Sequence, residues 1–337
     1  MSKSKIGVTT GKTMLAALAL QLIPAPAAAQ TSSTGSSQAY PSKPMRVAVG
    51  FPAGGPADTM TRIIGKKMTD LSGQLVIVEN RPGANGFIAA DYVAKAAPDG
   101  HTQLFASGSM LSFTKYLYTK PLVDPDRDLA LVTQAVSVPQ IFVVHPSLPV
   151  KTMKDLAQLA TQRPGQLNIS IISVGGLIHL GVEMFKNSAG IQMNNVLYKG
   201  AAPAIVDLVG GHVEAALFDV PAVMAYLPSG KVRALAVTSV ERLKQLPQVP
   251  TTTEAGYLSV RSDSWYGVAS PVGASSDLIQ RMNKLWVASV RAPETRDLLY
   301  GIGVGAAGSS VEDINAFRAA EARKWGDLVR KMNLKLE

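Results

Sequence analysis

Apolar positions along this chain come in two alternating patterns: short unbroken runs of strand length, and longer stretches in which they recur every three or four residues. The first cycle reads as a strand over Arg46–Phe51, a helix from Ala57 with one buried face (Met60, Ile63, Ile64, Met68, Leu71), and a strand over Leu75–Glu79. A helix over Asn85–Ala97, a strand over Thr102–Ala106 and a helical stretch over Ser109–Tyr118 follow. Leu129–His145 is a long apolar run, enough to carry the chain from one lobe into another. A second cycle then predicts helices at Lys151–Thr161, Leu177–Ser188 and Pro203–Val209 between strands at Leu167–Ile171, Asn195–Tyr198 and Ala215–Phe218. Strands at Ala234–Thr238 and Trp265–Ala269 and helices at Ser276–Arg291, Glu294–Tyr300 and Val311–Lys331 close the chain. Strands alternating with helices place the protein in the α/β class, with doubly wound, parallel sheets. A second entry into the first lobe would put residues 41–138 and 262–337 in one lobe and 139–261 in the other, with two connections forming a hinge over a cleft.

Three of the predicted strand-to-helix turns are almost free of side chains. Phe51-Pro52-Ala53-Gly54-Gly55-Pro56-Ala57-Asp58 opens the first helix, Ser173-Val174-Gly175-Gly176 precedes Leu177, and Tyr198-Lys199-Gly200-Ala201-Ala202 precedes Pro203. The first N–H groups of a helix lack internal partners and carry the positive end of its dipole, so bare turns of this kind suit a carboxylate or phosphate. In a doubly wound sheet they lie beyond the carboxyl ends of the strands, where ligands bind. The first of these turns is not a phosphate-binding loop, since no Gly-Lys-Ser/Thr follows it, and it lacks the three-glycine spacing of the dinucleotide fingerprint. Asp58 falls in the first helical turn, where it caps more naturally than it touches an anion; Lys199 is a candidate counter-ion whose stem can equally reach solvent.

The first 29 residues change the setting rather than the fold. Lys3, Lys5 and Lys12 precede an apolar run from Met14 to Ile23 and a small-residue site at Ala27–Ala29, the pattern of a secretory signal peptide, and residues 30–40 read as a flexible leader. The expected location is a bacterial periplasm, without a lipid anchor or disulfides because the chain has no cysteine. The remaining roughly 300 residues exceed one comfortable core, which favours two domains. The formal charge of +9 comes from 33 basic and 24 acidic residues that are interspersed, with no basic block or aromatic interleaving of the nucleic-acid kind. A mild basic excess suits a small anionic ligand.

The four histidines, His101, His145, His179 and His212, show no metal-binding spacing, so no metal or cofactor is expected. His179, in the first turn of a helix beside a candidate anion seat, either faces the ligand or supports the turn. No Gly-x-Ser-x-Gly elbow accompanies Ser107 or Ser173, which argues against a hydrolase and against an enzyme in general. Trp265 and Tyr266 open a returning strand near the hinge, where packing explains them better than ligand stacking; Phe51 has a better claim to touch a ligand.

The ordered set of segments Phe51–Asp58, Val78–Ala84, Ala94–Gly100, Val144–Val150, Tyr198–Gly200, Gly210–Glu214, Gly230–Thr238, Val249–Thr251, Glu254–Gly256 and Lys324–Gly326 resembles the tripartite tricarboxylate transporter solute receptors, or Bug proteins. The likeness covers essentially the whole chain after the leader. It implies a type II-like periplasmic binding protein of two α/β lobes, each a doubly wound mixed sheet flanked by helices, that close over an organic carboxylate and hand it to membrane subunits. It implies a monomer that does no covalent chemistry. It assigns the ligand contacts to Phe51, Pro52, Ala53, Gly54, Gly55 and Asp58 in the first lobe and to Ser173, Val174, Gly175, Gly176, His179, Tyr198, Lys199, Gly200 and Ala201 in the second. Ser107 and Gly108 match the cleft floor, and Phe218 and Asp219 a position after a second-lobe strand. The chain departs from the pattern at Gly176, which replaces a hydroxyl residue, and at Leu177-Ile178, which replace smaller or more polar ones. That favours an aromatic or alkyl carboxylate over citrate. A receptor that signals to a sensor kinase without transport would use the same closure.

Overall fold

The protein is described here by a computed structural model covering residues 40–331. The signal peptide expected at 1–29 and nearly all of the leader expected at 30–40 lie outside the described residues. In chain order the elements are β1 Met45–Val49, α1 Pro56–Ser72, β2 Val76–Asn80, α2 Phe87–Ala94, β3 Thr102–Ser107, α3 Gly108–Ser112, α4 Pro125–Asp128, β4 Leu129–Val138 and β5 Gln140–Val144. They continue with α5 Met153–Gln162, β6 Asn168–Ile172, α6 Leu177–Ala189, β7 Asn194–Tyr198, α7 Ala201–Gly210, β8 Ala215–Asp219, β9 Arg233–Val237 and β10 Ser264–Pro271. The last are α8 Ser276–Arg291, α9 Pro293–Gly301, β11 Gly305–Ala306 and α10 Val311–Lys331.

These strands form two sheets, of order β11-β4-β10-β3-β1-β2 and β7-β6-β8-β5-β9. β1, β2 and β3 run parallel, as βαβ units require, but β10 lies antiparallel between β3 and β4, so the first sheet is mixed rather than wholly parallel. The second repeats the arrangement, with β6 parallel to β7 and β8, and β5 antiparallel to β8 and β9. Helices cover both faces of each sheet. Central strands are therefore largely buried: Met45, Val47, Ala48 and Val49 of β1 are fully enclosed, and only Arg46, near its start, reaches solvent. Helix α1 starts with Pro56 at its first turn, where a missing N–H costs nothing, and ends at Gly73 in the left-handed conformation (φ 68°). It buries Met60, Ile64 and Met68 against the sheet, while Ile63 is only partly buried and Leu71, expected on the same face, is exposed in the last turn.

The long apolar run Leu129–His145 is not one strand. Pro139 has no N–H for a sheet ladder, and at that residue the chain leaves the first sheet as β4 and enters the second as β5. The return passes through residues 260–264. Gln140, fully buried, ties the two crossings together: its Nε2 donates to Ser264 Oγ (2.8 Å) and its Oε1 accepts from Ser262 Oγ (2.7 Å). Thr238 Oγ1 donates to Asp263 Oδ1 (2.6 Å) and accepts from the Gln140 N–H (3.0 Å), adding a third segment to the same knot.

Candidate functional site

Between the two sheets lies a cleft of about 630 Å³, counting its solvent-open mouth. The first lobe lines it with Phe51, Pro52, Gly55, Pro56 and Ala57 at the start of α1, with Ser107, Gly108 and Ser109 after β3, and with Ser264, Trp265 and Tyr266 of β10. The second lobe contributes Ile172, Ser173, Gly176, Leu177 and Ile178 at the start of α6, Ala201 and Ala202 at the start of α7, and Asp219 at the end of β8. Helices α1, α6 and α7 thus point their N-termini into one space from opposite sides. The N–H groups of Ala57, Leu177, Ile178, Ala201 and Ala202 fall in first turns, where a helix offers them no internal acceptor. Among the described residues, none that lines the cleft carries a positive charge. The donors this wall offers an anion are backbone N–H groups and the hydroxyls of Ser107, Ser109, Ser173 and Ser264.

The turns are braced from behind. Gly54 has φ 77°, a conformation glycine adopts freely, and its N–H donates to Asp58 Oδ2 (2.9 Å). Asp58 Oδ1 accepts from Arg62 Nε (3.0 Å), so this carboxylate closes the loop and faces away from the cleft. Burial raises the Asp58 pKa, but the Arg62 guanidinium and the Gly54 N–H outweigh it and leave the group below the ordinary carboxylate range. On the other side Ser173 stands at φ 57°, a left-handed conformation uncommon for serine, and Gly176 N–H donates to its carbonyl (2.7 Å). His179 completes that turn: its Nδ1 accepts the Gly175 N–H (2.8 Å), which requires a neutral ring, and burial keeps its pKa low. The histidine holds the seat rather than lining it. His179→Ala should leave a buried N–H unpaired, at a cost of about 1–3 kcal/mol, loosen the turn and weaken ligand binding roughly tenfold or more with the fold intact. Titration calorimetry checks this; unchanged affinity would remove the bracing role.

Ser107, Gly108, Ser173, Gly176, Ala201 and Asp219, together with Phe51, Pro52 and Gly55, come together on the cleft wall. Val174, Tyr198 and Lys199 line an adjoining pocket, also between the lobes, with Gly83–Gly86 and Tyr118; it shares Phe51 and Ser173 with the cleft. The Tyr198 hydroxyl donates to Asp207 Oδ2 (2.6 Å), and burial with that carboxylate pushes its pKa up to about 12, so the ring is pinned to α7. Phe218 is fully buried in the second-lobe core, and Ala53 and Gly54 are exposed beside the first turn. Gly175 and Gly200 serve a different purpose: a Cβ on Gly175 would lie 2.1 Å from Leu117, and one on Gly200 2.7 Å from Pro52, each across the cleft. Asn85 Nδ2 also reaches over to the Val174 carbonyl (3.2 Å).

The wall also holds residues that sequence reasoning had left to packing or passed over. Tyr266 and Trp265 both line the cleft, on either side of β10. The Tyr266 hydroxyl donates to Asp219 Oδ2 (2.7 Å), joining the two lobes through their sheets, while its ring stacks on Phe105 (5.5 Å). Trp265 packs its indole onto the bare Cα of Gly108 and edge-on to Phe317 (5.2 Å). Ser109 and Ser264 add hydroxyls. No local sequence signal marks these residues, since each reaches the cleft through the antiparallel return of β10 or the short helix after β3.

Two α/β lobes, joined by two crossings and facing each other across a cleft lined by helix N-termini, define a periplasmic binding protein. The chain belongs to the family described as "Tripartite tricarboxylate transporter family receptor", whose model matches residues 60–334. It is 33% identical over 307 residues to protein BugT of Bordetella pertussis, covering 90% of this chain and 93% of that one. Among solved structures, the R. palustris protein Rpa4515 with adipate is 32% identical (TM-score 0.83, 86% of this chain and 97% of that one). MatC from Rhodopseudomonas palustris with bound malate is 26% identical (TM-score 0.81, 86% and 100%). Members of this family are periplasmic solute-binding receptors, not enzymes.

Proposed function

We propose that this receptor captures a small organic carboxylate with an apolar body, an alkyl dicarboxylate or an aromatic acid, and delivers it to the membrane subunits of a tripartite tricarboxylate-type transporter. The observation that carries the reading is the convergence of three helix N-termini, those of α1, α6 and α7, on a cleft without a cationic side chain. Partial positive charges and bare N–H groups suit carboxylate oxygens, and they are fixed before the ligand arrives. The body of the ligand then meets Phe51, Ile172, Leu177, Ile178 and Trp265. Leu177 and Ile178 both line the wall, which favours an alkyl chain or ring over the third carboxylate of citrate. Adipate, bound in a relative 32% identical, has that chemistry. Capture proceeds by closure of lobe 1 (41–138 and 262–337) on lobe 2 (139–261), and the closed shape is what the membrane partner reads.

A ligand that binds only the folded protein raises its stability by RT ln(1 + [L]/Kd). A thermal-shift series over adipate, malate, citrate, benzoate and adipamide should show the largest rise with adipate or benzoate, a small one with citrate and none with the amide. An equal shift with adipamide would remove the carboxylate reading.

A further inference from the structure

The cleft is built for an anion and yet contains an acid. Asp219 is 3% exposed at the end of β8; its Oδ2 accepts the Tyr266 hydroxyl, and its Oδ1 is buried without a hydrogen-bond partner. Among the described residues, no lysine, arginine or histidine lines the space to neutralise it. The titratable groups that face it are Tyr266, from β10, and Asp263, from the returning crossing; Gln140 of β5 and Ser264 of β10 are neutral. Tyr266 stays protonated, because burial and the neighbouring Asp219 both oppose its ionisation, so it can only donate. Asp263 pushes in the same direction as a second negative charge. A carboxylate ligand entering this space adds a third, in surroundings that have no counter-charge to offer.

We infer that Asp219 is the proton-taking residue of the cleft: entry of a carboxylate drives a proton onto Asp219, so that capture consumes a proton and tightens as the pH falls. This rests on the carboxylate reading of the cleft given above. Two carboxyls confined to one low-dielectric site cannot both ionise cheaply, and one of them keeps a proton. Asp219 is already close to doing so. Burial, reinforced by Asp263 and offset in part by Ser264, Tyr266 and Gln140, pushes its pKa up to about 6. The sign follows from linkage: the bound state holds the proton more firmly than the free state, so affinity is full below about pH 6 and is lost as the pH rises above it. The unpartnered Oδ1 is where the added proton has an acceptor to find, either on the ligand or on a reoriented neighbour.

Adipate and malate titrated calorimetrically into the full-length mature receptor between pH 6 and pH 8, where both acids stay ionised, test this. The dissociation constant should rise at least tenfold across the range, and comparison of HEPES with Tris buffer, whose ionisation heats differ, should show close to one proton taken up per ligand at pH 7.5. Asp219→Asn should flatten the pH profile, abolish the uptake and bind more tightly than the unaltered protein at pH 8. Should that variant fail to fold, the proton count on the unaltered protein decides the matter alone. Affinity independent of pH with no proton exchange would overturn the inference while leaving the carboxylate receptor intact. Weaker binding by Asp219→Asn at every pH would overturn it in another way, by making the residue an ionised acceptor for a ligand hydroxyl or amine. Binding of neither acid at any pH would remove the carboxylate reading, and the inference with it.

Discussion

Gly200→Val is expected to weaken ligand binding about a hundredfold while leaving both lobes folded. Gly200 sits in the turn before α7 with φ 157°, and a Cβ there would stand 2.7 Å from Cδ and 3.1 Å from Cγ of Pro52. Pro52 belongs to the other lobe, and its ring has no rotamer in which to retreat. Within the second lobe nothing else within 4 Å of that Cβ position opposes a side chain. The penalty therefore has two parts: backbone strain in the turn itself, since φ 157° is a conformation L side chains rarely adopt, and a clash that opposes the approach of the two lobes. An overpacking cost near the upper end of the usual 1–3 kcal/mol lowers the binding-competent population, and so the apparent affinity, by about two orders of magnitude. Calorimetric titration alongside circular dichroism separates the effects: a lost heat of binding, larger than a modest fall in melting temperature from strain in the turn accounts for, is the expected pair. A variant that binds normally would mean that Pro52 and Gly200 need not meet in the bound state.

The second large effect is expected at Trp265. The residue is 2% exposed; its indole rests on Gly108 and meets Phe317 of α10 edge-on, and it shares a buried apolar cluster with Leu177 and Leu180 of the opposing lobe. Trp265→Ala removes a wall of the cleft and leaves a hole where three elements meet. Large-to-small changes of this kind cost about 3–5 kcal/mol, so the melting temperature should fall by several degrees and binding should weaken with it. The reciprocal change, Gly108→Ala, would push a methyl to within 2.0 Å of the same ring. Denaturant unfolding of both variants checks the account. Full stability in both would show that the indole is not held where it lies.

The elements themselves were legible because their cause is local. The five-residue apolar runs and the three-four spacing of Met60, Ile64 and Met68 report which atoms must leave water, and the structure puts those residues in the core. The bare turns at Gly54–Gly55, Gly175–Gly176 and Gly200 were legible for the same reason. What was not legible is set by pairing between distant segments. Tyr266 and Asp219 are 47 residues apart and meet because β10 inserts antiparallel between β3 and β4 while β8 ends beside β5. The direction of β10 cannot be read from its own apolar run. The antiparallel strands that make both sheets mixed escaped the alternation rule in the same way. Asp58 and His179 show a further limit. Their places in first helical turns are clear from sequence, but whether a side chain turns toward the ligand or back onto Gly54 or Gly175 depends on the closed loop. Lys199 is exposed and lines the pocket adjoining the cleft rather than the cleft itself.

The central claim is that backbone N–H groups at opposing helix ends, with no cation, hold the carboxylate. A crystal structure of the receptor with the tightest-binding acid of the thermal-shift series tests it most directly. The account predicts carboxylate oxygens within hydrogen-bonding distance, directly or through one water, of the N–H groups of Ala57 in one lobe and of Leu177, Ile178, Ala201 or Ala202 in the other. Asp219 should lie on the wall between them. A carboxylate paired instead with Lys199 or another cationic side chain, or bound outside the space between the two sheets, would contradict it.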